Sequence, residues 1–573
     1  MRCRVWTAAL VLGVSLLGLP VCASAASLSN NLLNPPLAPV TSVTEFPVIV
    51  SPGPPRAVLR FTADADTALA ASEATSQMQA LHRQKHPLQY QVDLWSGQAA
   101  HYEVFFAYRG TTVAEVDVSP DGRATKVWTG PLAVATQGRG HFGGVFDSPW
   151  VIITFSVLFL VPFLDPRRLR RMTHVDALLL LALFTVPYGL FDHTHFTGSY
   201  LALYPLLLLV LARLLWVGLR PRSTATEANR WPIPMLAVGV VGLVATRVAI
   251  DLGHSQVVDV GVASVIGAHA ISHGMSLYTT GSVHGDTYGP ISYLAYVPFE
   301  AVFPWRGVWD FVPAAHAAAI FFDLCTTIGL VVLGVRLRPG PAGRRLGLTL
   351  AWAWAAYPAT LFVETFGTND GLIALLFVLA LLVYASPAGR GITLGLASAA
   401  KLFPVILLPL FAAGWRSRSR RATIMTVVTF ALVIVASFAP FIPAGGVSQI
   451  YQRTIGFQLD RGDPFSIWGL YPGLAWLKVV AEVAACGLAA GVFFISPRRS
   501  LAQVAAVAGA LTVAVQIPAE HWFYFYLTWI APFALVALLA REAAPTSPRS
   551  VELARAEDGV TAAAAAPVAA PAG

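Results

Sequence analysis

The chain has 573 residues, is 56% hydrophobic and only 12% charged, and has a mean hydropathy of +0.64. That is too apolar for a soluble globular protein and places it in the membrane class. The formal net charge of +8 comes from arginines gathered in short links between apolar runs, which read as topology signals and exclude a nucleic-acid patch.

Residues 1–25 have the parts of a secretory signal peptide: Arg2 and Arg4, an apolar stretch from Ala8 to Leu19, and Ala23-Ser24-Ala25 as a small-residue cleavage site. Cys3 and Cys22 fall in this leader, and Cys325 and Cys486 fall in apolar runs, so neither a disulfide framework nor a CxxC metal site is expected. Residues 26–147 read as a small exported α+β domain with a helical stretch from Asp64 to His86. In its second half, Ala114, Val116 and Val118 alternate with Glu115 and Asp117, Ser119-Pro120-Asp121-Gly122 forms a turn, and Arg123 to Trp128 returns as a strand. This pattern resembles the PepSY type of small exported domain; a plain spacer domain is the other reading.

From about residue 148 the apolar runs are long enough to cross a bilayer, which takes roughly 20 residues. A three-helix segment at 148–231 precedes a larger membrane region at 232–541, and 542–573 reads as a disordered cytoplasmic tail. The chain is therefore expected to be a polytopic α-helical membrane protein of about 11–13 spans. With the exported domain outside, keeping the arginine clusters inside puts 251–289 and 443–471 outside. It also makes 291–304 re-entrant or interfacial, because a crossing there would put Arg336, Arg338, Arg344 and Arg345 on the wrong side. Gly391 to Gly414 must begin and end inside, so it should be a hairpin broken near Lys401-Leu-Phe-Pro404, with Lys401 lifted toward the outer face. The C-terminus is then cytoplasmic.

The outer loop reads Asp251-Leu-Gly-His254, Val258-Asp259-Val260, Gly274-Met-Ser-Leu-Tyr278 and Asp286-Thr-Tyr288-Gly-Pro290. Four more pieces follow in order: Thr368-Asn369-Asp370-Gly371, Gly395 to Pro404 around Lys401, Arg453 to Trp468 with Arg461, and His521-Trp-Phe-Tyr-Phe-Tyr526. The ordered set resembles glycosyltransferase family 87 and its relatives, multispanning enzymes of the GT-C superfold that use polyprenyl-phosphate sugars. The chain departs from the family pattern at Val262-Ala263-Ser264, where an aromatic residue is common. The resemblance implies transfer of a mannose-like hexose or pentose, with inversion, from a polyprenyl-phosphate donor to an exported lipid or polysaccharide acceptor at the cell membrane. Partners are thus the donor, the acceptor and membrane lipids, and no nucleic acid.

Such a transfer needs a base for the acceptor hydroxyl, which a carboxylate at the membrane surface supplies. Asp259 is the first candidate, with Asp286 and Asp251 as alternatives. The leaving phosphate gathers negative charge, which cations stabilise, and Lys401, Arg453 and Arg461 are the candidates. Tyr288, Asn369, Asp370 and His521 are candidates for the substrate groove. The resemblance further implies that Tyr288 to Tyr296 and Trp522 to Tyr526 line a prenyl groove or stack on sugar rings. A lysine inside an apolar hairpin costs about 2.5–3.5 kcal/mol on insertion scales, so Lys401 marks a site or pathway.

Simpler roles stand beside these. Asp251 has Arg247 four residues earlier, the spacing of a pair on one helix face; Asp370 stands where a residue caps the helix after it; and Lys478 with Glu482 has the spacing of an internal pair. His269 and His273 have metal-ligand spacing but lack the glutamate of a His-Glu-x-x-His motif, so no metal or other cofactor is assigned, with a divalent ion left open. A polytopic transporter or a non-catalytic envelope-assembly protein is the alternative reading. A transporter would gather charges near the midplane and often carries inverted repeats, whereas the polar residues here favour the outer edge.

Overall fold

A computed structural model describes residues 41–45, 62–95, 101–108, 111–129, 133, 148–164, 172–192, 196–220, 231–254, 257–278, 287–306, 312–414, 419–456, 465–495 and 499–539. The expected signal peptide, the tail, Asp286 and Arg461 lie outside the described residues.

The small N-terminal unit is a sheet carrying two helices. Strands β1 (Thr41–Glu45), β2 (Gln89–Trp95), β3 (His101–Tyr108), β4 (Thr111–Val118) and β5 (Ala124–Thr129) lie side by side in that order. The β1–β2 pair is parallel and the others antiparallel. Alternation puts Val104, Phe106, Val116 and Val118 on one face, where Ala68, Met78 and Leu81 of the helices cover them. The helix Ala65–Glu73 starts at Asp64, whose side chain accepts from the Thr67 N–H at 2.8 Å. Hydrogen bonds from the Thr67 hydroxyl and N–H hold the Asp64 carboxyl below its usual range. The expected helical stretch and β4–β5 hairpin are both present, and Gly122 takes the positive φ of +83° that the turn requires.

The rest is a helical membrane region. Among the described residues six helices are long and apolar enough to cross a bilayer, and a seventh span forms if Gly340–Ala356 and Pro358–Thr365, bent by 60°, are one crossing. Four more expected crossings fall on shorter apolar helices, Pro149–Leu160, Asp370–Leu382, Leu501–Gln516 and Leu527–Leu539. The last three are almost entirely buried, so they form the centre of the bundle. Outside them, Ile233–His254, Arg420–Phe438 and Ala475–Phe494 expose Val238, Val241, Leu432, Val435, Trp476 and Val480, an apolar surface suited to lipid.

Two irregular pieces position the site. Pro290–Leu294 and Val297–Val302 are too short to cross, as the charge bias required. The helix Pro387–Ala400 stops at Lys401, whose backbone is extended (φ −134°, ψ 140°), before the short turns Phe403–Leu407 and Leu408–Ala413. Pro404 lacks the N–H that a continuing helix would use. The two pieces meet directly: Gly289 donates to the Ala400 carbonyl at 3.1 Å, as does the Ser292 hydroxyl at 3.0 Å. Only glycine allows this approach, because a Cβ at position 289 would lie 2.0 Å from the Ala399 carbonyl oxygen.

Candidate active site

The broken hairpin leaves the Lys401 ammonium at the end of a helix inside the bundle, with its side chain only 10% exposed. It meets the carboxylate of Asp370, the first residue of the helix Asp370–Leu382, at 2.5 Å. Asp370 also accepts from the Trp529 indole N–H at 2.8 Å. The ammonium lies 5.2 Å from the ring centre of Tyr288 and 5.1 Å from that of Trp529, within cation–π range. Trp529 in turn stacks between Phe403 at 4.0 Å and Tyr526 at 4.1 Å. The result is a charged pair framed by aromatic faces.

Asp370 does not cap its helix with its side chain, so that bland reading fails: the carboxylate turns to Lys401 and Trp529 instead. Its Oδ2 atom is buried without a hydrogen-bond partner. Asn369 beside it donates to the Ser264 hydroxyl at 3.0 Å, and its Oδ1 is likewise unpartnered. Two buried acceptors on neighbouring residues suit a ligand that brings hydroxyl or amide donors.

No described contact joins Asp259 to that pair. It is the first residue of the helix Asp259–Ser272, is exposed, and accepts from the Val260 N–H at 2.8 Å. The start of its helix is docked on the turn that leads to Asn369 and Asp370. Val258 donates to the Phe366 carbonyl at 3.1 Å, and a Cβ at Gly261 would lie 2.3 Å from the Gly367 oxygen.

Tyr288 and Tyr293 form an aromatic wall beside Lys401. The Tyr288 N–H donates to the Tyr293 hydroxyl at 2.8 Å, and the Tyr288 carbonyl accepts from the Tyr278 hydroxyl at 2.9 Å. Tyr278 takes the left-handed φ of 62°, which is costly outside glycine. Arg453 is half-buried on the turn Gln452–Gly456, one turn after Ile450, which packs with Leu277, Tyr278 and Tyr293. Lys401 is thus the one proposed phosphate-binding cation that a described contact joins to Asp370.

Several sequence expectations are corrected. Asp251 does not pair with Arg247: it is buried against His316, 3.2 Å away. Arg247 is fully buried and bonds to Asp323 at 2.7 Å and Glu364 at 2.6 Å, with further donation to Thr360 and the Ala355 carbonyl. Lys478 pairs with Glu520 at 2.5 Å in place of Glu482. The aromatics Trp522 to Phe525 are core and not groove wall, each buried, with Tyr524 packed edge-on against Tyr188. His521 lies beside Phe465, with ring centres 5.2 Å apart. Ser264 and Trp529 were missed, because an aromatic or serine within an apolar run has no pattern that separates a site from a core.

A polytopic helical membrane fold with a break-point lysine and carboxylate, walled by aromatics, defines the class of protein. Residues 287–518 match glycosyltransferase family 87, and over that part the chain has the family's GT-C-like fold. Relatives include two proteins described as polyprenol-phosphate-mannose-dependent alpha-(1-2)-phosphatidylinositol mannoside mannosyltransferase. The one from Mycobacterium tuberculosis is 30% identical over 226 residues, 36% of this chain and 51% of the relative. The one from Mycolicibacterium smegmatis is 28% identical over 275 residues, 44% of this chain and 52% of the relative. The chain spans about half the length of the curated relatives it matches. No solved structure matches.

Proposed function

We propose that the chain is an inverting membrane glycosyltransferase that moves a mannose-like hexose or a pentose from a polyprenyl-phosphate donor to an exported lipid or polysaccharide acceptor. The observation that carries this is the Lys401–Asp370 pair, held between Tyr288 and Trp529 where a helix breaks inside the bundle. The family match covers those two charged residues and Tyr288. The names of both relatives specify a polyprenol-phosphate mannose donor, which favours a mannose-like sugar here.

In this mechanism the donor phosphate lies against the Lys401 ammonium, and Asp370 holds that ammonium in place. Arg453, and Arg461 from the same external loop, supply further positive charge as the phosphate leaves. Asn369 and the Asp370 oxygen without a partner accept hydroxyls of the sugar. Asp259, exposed at the start of its helix, takes the proton of the acceptor hydroxyl as that oxygen attacks the anomeric carbon from the face opposite the phosphate. Asp370 is already bonded to an ammonium and an indole, which leaves Asp259 as the base. The reaction takes place on the non-cytoplasmic side, with the N-terminal domain, PepSY-like in its sequence pattern, on that side too. Incubating the purified protein with a panel of radiolabelled polyprenyl-phosphate sugars and a lipid acceptor tests the proposal: label should move to the acceptor from at least one of them.

A further inference from the structure

His269 and His273 close the helix Asp259–Ser272, and sequence spacing alone gave them no carboxylate. The fold supplies one. Glu300, on the short helix Val297–Val302, is buried, and its Oε1 lies 2.7 Å from His269 Nδ1. His273 Nδ1 faces the His269 carbonyl oxygen at 2.9 Å. A carbonyl and a carboxylate only accept, so both Nδ1 atoms carry the proton. Each ring keeps its Nε2 outside these two hydrogen bonds, and the rings lie 3.9 Å apart centre to centre. One possible ligand atom from each of His269, His273 and Glu300 lies within 4.8 Å of the others.

We infer that His269 and His273 bind a divalent transition-metal ion of the Zn²⁺ or Co²⁺ type through Nε2, with Glu300 as the carboxylate that orients and strengthens His269. Imidazole nitrogen suits such ions better than Mg²⁺ or Ca²⁺, and a carboxylate behind a ligating imidazole raises its basicity. The remaining positions stay open to water or an oxygen ligand. The ion would tighten the clasp between the helix that begins at Asp259 and the re-entrant helix that follows the Tyr288–Tyr293 wall. Gly267 of the first helix already packs on Tyr293, where a Cβ would come within 2.2 Å of the ring. This inference rests on the described geometry alone and does not depend on the transferase reading.

The test uses the full chain in detergent, carried on an affinity tag without histidine and titrated with Co²⁺ alone. Wild-type protein should gain visible d–d absorption that saturates at one equivalent and is displaced by Zn²⁺. His273→Ala, at an exposed helix end, should abolish that absorption while leaving the melting profile unchanged. Glu300→Gln should weaken Co²⁺ binding by about 10–100-fold. His101→Ala, in the second His-carboxylate group among the described residues, should have no effect. Absence of one-equivalent binding in the wild type overturns the inference, as does undiminished binding in His273→Ala or loss of binding in His101→Ala.

Discussion

At the scale of single residues, the charges that the sequence made conspicuous are the ones that found partners far away. Lys401 could be singled out because an ammonium in an apolar hairpin is costly, but its partner Asp370 is 31 residues earlier and its indole neighbour Trp529 lies in an apolar run. Spacing rules see i,i+4 neighbours, and both pairs chosen that way, Arg247 with Asp251 and Lys478 with Glu482, gave way to tertiary partners. Lys401→Met should weaken binding of a polyprenyl-phosphate analogue by about 1.5–3 kcal/mol through loss of a charge-assisted hydrogen bond. Binding of the uncharged prenyl alcohol, measured in the same detergent, should change much less, and equal losses would mean that Lys401 holds the fold and not the phosphate. Arg247 makes a contrasting case, since it is a scaffold residue. Arg247→Met leaves Asp323 and Glu364 buried without their cation and should destabilise the fold by about 3–5 kcal/mol. Thermal unfolding in detergent measures it, and an unchanged midpoint would show that those carboxylates are neutral or solvated.

At the scale of elements, the breaks proved as legible as the helices. Pro404 after Lys401, with arginines at both ends of the run, was enough to expect a broken hairpin, and charge bias alone argued against a crossing at 291–304, where the helices Pro290–Leu294 and Val297–Val302 are short. Sequence did not reveal how these two irregular pieces meet, because the contact is made by backbone atoms around a glycine. Gly289→Ala should therefore act on the site without touching a polar side chain. Its Cβ would collide with the Ala399 carbonyl, pushing the helix Pro290–Leu294 away from the Lys401 break at about 1–3 kcal/mol of strain. We expect donor affinity to fall together with the melting temperature; a variant with wild-type affinity would show that the Tyr288 wall does not shape the donor site. The aromatic tract Trp522 to Phe525 was misread for a related reason. A run of rings looks alike whether it faces a ligand or a core, and only the helices packed around it decide.

At the scale of the whole molecule, charge bias and run length gave the division into a small sheet domain and a helical membrane region. The number of crossings was harder to read. The central helices, such as Asp370–Leu382, are shorter than a bilayer is thick and are shielded by protein on all sides, so apolarity along the chain does not report their depth. Topology is open to direct test: with native cysteines replaced, a cysteine at position 340 should resist membrane-impermeant reagent in intact cells, and one at position 275 should react. Labelling of position 340 from outside would invert the membrane region and remove the proposed site from the outer face. The central claim is that the chain transfers a sugar from a lipid-linked phosphate with Asp259 as base. The most direct measurement follows radiolabel from a polyprenyl-phosphate sugar to a lipid acceptor, using purified wild type and Asp259→Asn side by side. The amide keeps the shape of the side chain and removes only its capacity to take a proton. The wild type should transfer label and the variant should bind donor normally yet transfer none, whereas transfer at the wild-type rate by Asp259→Asn, or no transfer from any polyprenyl-phosphate sugar by the wild type, would contradict the account.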